Sequence, residues 1–249
     1  MARTIVQIYE VQTPHEALEM IGLGVDHIGS VITSLHGRYD SAVRETVAVA
    51  RRAGAVSSLI PLFGDPDAVL ETLEHHRPHI VHFCDRLDPP DGGAVEAALD
   101  LQATVKRGFP DIRIMRSIPI PRQAGAEEGS VMVLAARLEP VSDYFLTDTV
   151  IGSCDGDQPV SGFVGITGQT CDWSLAARLV AASRIPVVLA GGIAPENVAE
   201  GIRQVRPFGV DSCTATNAVD GSGRSIRFKK DPLRVRMLVS EVRRADGKP

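Results

Sequence analysis

Short apolar, β-branched runs alternate with longer amphipathic stretches from one end of the 249-residue chain to the other. The runs at residues 4–9, 27–32, 56–62, 79–84, 112–118, 143–147, 186–190 and 209–213 have the length and composition of buried strands. Each is followed by a stretch whose apolar positions recur at helical spacing. Strand and helix in strict alternation is the pattern of a parallel sheet with crossover helices. Eight such units close most economically as a single-domain α/β fold, a (β/α)8 or TIM barrel over residues 1–249.

Punctuation residues sharpen the boundaries. Thr13 before Pro14 predicts a capped helix over 14–23, and Pro195 predicts another over 195–205. Residues 119–140, containing EEGSVMVLAARLEP, read as a helix with an irregular approach. Two connections are unusually long, 148–172 after the sixth strand and 214–230 after the eighth. Loops of this length tend to be functional. Both fall on the C-terminal face, where active sites of this architecture are built.

Composition narrows the partners. The chain is 44% hydrophobic and 23% charged, with a net charge of -5 and a pI near 5.8. An acidic balance argues against nucleic acid as a partner, because phosphate-backbone binding requires a basic surface. The cluster Arg224, Arg227, Lys229 and Lys230 is local, and reads equally as a solvated loop or as a lure for an anionic substrate. No run of about 18 apolar residues is present, so no membrane contact is expected. The first residues carry no signal-peptide profile, and the expected location is cytoplasmic. Cys84, Cys154, Cys171 and Cys213 form no CxxC pair and no metal-ligand spacing; they read as free thiols, with no metal and no cofactor.

Chemistry concentrates in GITGQTCDWSL at 165–175 and VVLAGGIAPENV at 187–198. Glycines 165, 168, 191 and 192 allow tight turns that bring bare N–H groups against an anion. Either motif alone could be an ordinary strand-to-helix turn. As a pair in the last third of a β/α repeat they point to a phosphate, and hence to a phosphorylated small-molecule substrate. Gly165, Thr167, Gly168, Thr170, Gly191, Gly192 and Thr214 are the candidate phosphate contacts. Asp172 reads as the cap of a helix beginning at Trp173.

With these motifs placed, the chain resembles the phosphoribosylanthranilate isomerases of tryptophan biosynthesis over nearly its whole length. The resemblance rests on GITGQTCDWSL and on LAGGIAPENVAEGIRQVRPFGVD, with Asp172, Trp173, Gly191, Gly192, Arg206, Pro207 and Asp211 on family positions. It implies an Amadori aldose-ketose rearrangement of a phosphoribosylated aromatic amine. Such a reaction needs an acid at the furanose ring oxygen and a base at the sugar C2 proton. The resemblance puts the acid at Asp148, in FLTDT, and a carboxylate-binding guanidinium at Arg38, in HGRYDS.

The base position departs from the family pattern. Where the family ends its first strand with a catalytic cysteine and a glycine, this chain has Tyr9 and Glu10. A phenol with a pKa near 10 is a poor base at neutral pH unless its environment depresses it; Glu10 is the replacement within reach of the mouth, and Tyr9 remains a catalytic candidate as a ligand-facing hydroxyl. Further departures fall at Ser34-Leu35-His36, Phe83-Cys84-Asp85 and Cys213-Thr214-Ala215-Thr216-Asn217. They make His36 and Cys84 candidate substrate contacts beside Arg38, with Cys84 and Cys213 as alternative thiol bases. Three functions stay open: an acid/base isomerase with an altered base or substrate, a lyase or aldolase-like enzyme on a phosphosugar, and a non-catalytic phosphate-ligand binder. A lysine Schiff base lacks a lysine at any expected strand end. A homodimer is left open by the sequence.

Overall fold

A computed structural model describes residues 3–87, 92–123, 125, 128–150, 162–165 and 167–247. Eight parallel strands close into a barrel: β1 (Ile5–Ile8), β2 (His27–Ile32), β3 (Val56–Pro61), β4 (Ile80–Phe83), β5 (Arg113–Pro121), β6 (Tyr144–Val150), β7 (Val187–Leu189) and β8 (Gly209–Ser212). The ring is sealed where β1 lies beside β8, with Val6 opposite Val210 and Gln7 opposite Asp211. All six residues of β2 are buried, as expected of a strand covered on one face by helices and on the other by the barrel interior.

The covering helices are α1 (Pro14–Gly22), α2 (Ser41–Arg52), α3 (Pro66–His76), α4 (Gly93–Gly108), α5 (Glu128–Leu138), α6 (Trp173–Ala182), α7 (Val198–Val205) and α8 (Pro232–Ala245). Their starts follow from local chemistry. Thr13, Asp65 and Asp231 each precede a proline and accept backbone N–H bonds from the first turn of α1, α3 and α8. Asp172 caps α6 by accepting from Ser174 N and Leu175 N, as its sequence position predicts. The main core lies between barrel and helices and includes Val6, Ile8, Met20, Phe145, Leu175, Leu189, Val210 and Leu238. Full burial of such side chains stabilises the fold by about 1.5–3 kcal/mol each before chain entropy is counted. No described helix is long and apolar enough to cross a membrane.

Several boundaries differ from the sequence expectation. Helix α7 begins at Val198, not at 195, because the Asn197 amide holds the preceding turn: its Oδ1 accepts from Ala194 N and its Nδ2 donates to Gly192 O. Strand β5 runs on to Pro121, so the helix expected within 119–140 is confined to α5. The connection 214–230 is ordered structure: a single 3-10 turn (Thr214–Thr216) leads into an antiparallel hairpin, β9 (Asn217–Val219) and β10 (Ser225–Lys230). The hairpin is weakly marked in the sequence, since only Ile226 and Phe228 of SIRFKK are apolar, each half-buried between exposed positions. Of the other long connection, 151–161 and 166 lie outside the described residues, as does Cys154.

At the N-terminal ends of the strands the ring is clasped by charge. Thr4 Oγ1 donates to Asp246 Oδ1 at 2.6 Å, and Arg243 joins Asp26 at 3.0 Å and Thr4 O at 2.6 Å. This clasp lies at the face away from the cavity.

Candidate functional site

A cavity opens at the C-terminal ends of the strands and encloses about 790 Å³, its mouth included. Its walls divide by chemistry. Val31, Ile60, Leu62, Cys84, Phe163 and Val164 form an apolar side from β2, β3, β4 and the segment after β6. The polar lining comes from Asp148, Asp211 and the glycine turns. Three carboxylates and no lysine or arginine line this cavity among the described residues.

The phosphate candidates converge. The turn through Thr167, Gly168 and Gln169 precedes α6, and the turn through Gly191 and Gly192 precedes α7. Gly192 has a positive φ of 59°, and a methyl group on it would meet Gln169 C at 2.5 Å and Thr170 N at 2.6 Å, so the two turns lie directly on one another. Thr149 Oγ1 ties them to β6 by donating to Gln169 O at 2.6 Å, and Gln169 N donates to Thr167 Oγ1 at 3.2 Å. Thr214 completes the group from the end of β8, its methyl facing Gly168. Of the seven candidates, Gly165, Thr167, Gly168, Gly191, Gly192 and Thr214 line the cavity. Thr170 does not; it packs behind Gly192.

Asp148 lies near the end of β6, with its Oδ1 accepting from Thr149 N at 2.9 Å. Its carboxylate rests on the α-carbon of Gly165, where φ is 103° and any side chain would collide with it. Removal from bulk water raises its pKa to about 7. Asp211, at the matching place on β8, is 7% exposed. Its Oδ1 accepts from Gln7 Nε2 at 3.1 Å, and Gln7 is itself held by His27 Nδ1 at 3.2 Å. Burial first, and then the charge of Asp148, raises Asp211 to about 7 as well. In the sequence Asp211 falls on a family position with no role attached to it. Its signal was available: like Asp148, it is the one carboxylate of a largely buried strand and lies toward its C-terminal end.

The candidates around the first strand behave differently. The Tyr9 ring packs on Gly29, and its hydroxyl is shared with Ser58 Oγ at 2.5 Å and His82 Nδ1 at 2.9 Å. Burial holds the phenol well above its ordinary pKa, which rules against a tyrosinate base. His82 completes the chain by meeting Ser117 Oγ at 2.8 Å, and desolvation drops it to about 3, so it is neutral. Cys84 and Cys213 border the cavity, yet burial pushes both thiols upward, away from thiolate. Glu10 also borders the cavity, but its carboxylate is turned to the hairpin. Arg227 meets Oε1 at 2.6 Å through both Nε and Nη2, and Asn217 Nδ2 and Phe228 N each lie 3.3 Å from Oε2.

Arg38 and His36 are not brought to the cavity. His36 sits in an exposed single 3-10 turn (Leu35–Gly37). Arg38 follows it, stacked on Tyr39, with Nε donating to Glu71 Oε2 on α3 at 2.9 Å. A carboxylate 33 residues further along thus takes the guanidinium that the sequence reading assigned to substrate.

A second strap shapes the apolar side. Phe163 pairs with Asp85 in an isolated antiparallel bridge, Val164 N donates to Cys84 O at 2.9 Å, and Arg86 N donates to Gly162 O at 2.9 Å. Asp85 is anchored from below by Arg116, 1% exposed, whose Nη1 reaches Asp85 Oδ1 at 2.7 Å and Nη2 reaches Asp85 O at 2.6 Å.

Known proteins resemble this chain in sequence and in fold. A family model described as N-(5'-phosphoribosyl)anthranilate (PRA) isomerase matches residues 111–221, the stretch carrying both acids and the glycine turns. The N-(5'-phosphoribosyl)anthranilate isomerase of Methanocella arvoryzae is 28% identical over 96% of this chain and 98% of its own. That of Xylella fastidiosa is 30% identical, covering 91% of this chain and 86% of its own. Among solved structures, phosphoribosyl anthranilate isomerase from Thermotoga maritima superposes with a TM-score of 0.68 at 20% identity, over 98% of this chain and 99% of that one.

Proposed function

Because the chain belongs to the N-(5'-phosphoribosyl)anthranilate isomerase family, we propose that it isomerises a phosphoribosylated aromatic amine from aldose to ketose, with Asp148 as general acid and Asp211 as general base. The observation that carries this reading is the pair of carboxylates at the ends of β6 and β8, lining one cavity beside the glycine turns. The turns and Thr214 hold the phosphate. Backbone N–H groups and the start of α6 and α7 supply the positive field there, since no cationic side chain lines the cavity among the described residues.

The rearrangement needs no redox partner. Protonated Asp148 gives its proton to the furanose ring oxygen as the C1–O bond breaks, and the nitrogen lone pair forms a C1=N bond. Ionised Asp211 then removes the C2 proton; those electrons form C1=C2 and neutralise the iminium. Return of a proton to C1 and loss of one from the C2 hydroxyl give the ketose. One acid and one base are required together. Two carboxylates raised to about 7, mainly by burial, share on average about one proton near that pH, which leaves one acid and one base.

Glu10 as replacement base is weakened by its contacts, because both carboxylate oxygens already accept from the hairpin. A lysine Schiff base gains no support either. Lys230 is buried, but its Nζ donates to Cys213 O at 3.1 Å and Asn217 Oδ1 at 2.5 Å, and it does not line the cavity.

The test is direct. Purified chain given N-(5'-phosphoribosyl)anthranilate should form the ketose at an enzymatic rate. Asp148→Asn and Asp211→Asn should each lower kcat by about 10²-fold or more. Saturable binding of the substrate without conversion would leave a phosphate-ligand binder in place of the isomerase. An unchanged kcat in Asp211→Asn would remove Asp211 as the base.

A further inference from the structure

The connection after β8 is fixed to the end of β1 by a set of contacts that the isomerisation does not explain. Glu10 is 1% exposed and sits at φ 65°, a left-handed conformation that an acidic residue rarely adopts without reason. In that conformation its carboxylate receives Arg227, Asn217 Nδ2 and Phe228 N, all from the β9–β10 hairpin. Phe228 is itself left-handed at φ 60°, with the Arg227 guanidinium 4.7 Å from its ring centroid. The two left-handed residues are thus joined by Phe228 N donating to Glu10 Oε2, beside the Glu10–Arg227 ion pair.

The load passes to the phosphate turns. Asn217 directly follows the Thr214–Thr216 turn, and its amide is held at both ends, by Glu10 through Nδ2 and by Lys230 through Oδ1. Lys230 also donates to Cys213 O, on the other side of the turn. Between these two fixed points lies Thr214, whose methyl faces Gly168 at a distance that would put it 3.5 Å from a β-carbon there. Glu10 thereby anchors the segment that brings β8's contribution to the cradle.

We propose that Glu10 is a positioning residue: through Arg227 and Asn217 it holds Thr214 against Gly168 and so sets the affinity of the site for a phosphate group. This rests on the reading of the glycine turns as a phosphate site. It assigns Glu10 a part in binding, with no proton transfer.

Titration of the full chain with inorganic phosphate, read by calorimetry, separates the possibilities. Wild type should bind saturably. Glu10→Ala and Arg227→Ala should each raise Kd by about tenfold, and the double variant should be no worse than either single, as expected of two partners in one interaction. In turnover, Glu10→Ala should raise KM with kcat within about twofold of wild type. Arg227 is partly exposed, so its variant reports even if Glu10→Ala fails to fold. Unchanged Kd in Arg227→Ala, or effects that multiply in the double variant, would overturn the positioning role while leaving the phosphate site intact. A large fall in kcat at constant KM in Glu10→Ala would make Glu10 the base instead. No phosphate binding by wild type would remove the phosphate reading and this proposal with it.

Discussion

Replacing Asp211 with asparagine should make the protein more stable, and increasingly so as pH rises. Asp211 is 7% exposed, and burial raises its pKa from 3.8 to about 7. A carboxyl whose folded pKa is raised favours the fold fully below its unfolded value. That contribution is lost as pH climbs through the folded one. At about 1.4 kcal/mol per pH unit the whole loss is about 4 kcal/mol, of which roughly 2–3 kcal/mol falls between pH 5 and pH 8. Asparagine keeps the oxygen that accepts from Gln7 Nε2 and cannot ionise. Relaxation and water entry reduce the figure, so about 1 kcal/mol is the least that should remain, or about 2–4 °C in Tm for a chain of this size. Thermal melts of wild type and Asp211→Asn at pH 5 and pH 8 give the answer. A Tm gap that stays constant or shrinks between the two would refute the claim that Asp211 is a strained, desolvated acid.

Two further outcomes follow from the same pair and its surroundings. The kcat of the isomerisation should describe a bell centred near pH 7, falling below as both acids take up protons and above as both lose them; a flat profile from pH 5 to 9 would exclude the shared-proton pair. Gly165→Ala should cut kcat by about tenfold or more while leaving phosphate Kd within about threefold, because the added methyl displaces the Asp148 carboxylate but not Gly168 or Gly192. Equal losses in both measurements would point to collapse of the whole turn.

Strand positions were the most legible part of the sequence, because parallel barrel strands are buried on both faces and appear as apolar runs whatever their neighbours. β2 coincides with residues 27–32 for this reason. The hairpin β9–β10 has no such signature; it is held by Glu10 and Glu16, more than 200 residues earlier in the chain. The same distance in sequence explains the uneven reading of the site. Asp148 and the glycine turns are local in meaning, set by a strand end or by a φ only glycine adopts with ease. Arg38 and Glu10 are not, since their environments depend on Glu71 and Arg227, which no local pattern connects to them.

The clasp between Thr4, Asp26, Arg243 and Asp246 gives the ring a different kind of meaning. A circle of strands has no first member: β1 lies beside β8 by the same parallel register that joins β2 to β3. What distinguishes the seam is that charged side chains clasp it at the N-terminal ends of the strands. The acids at Asp148 and Asp211 do not depend on that seam, since β7 pairs with both of their strands and sets them level with each other.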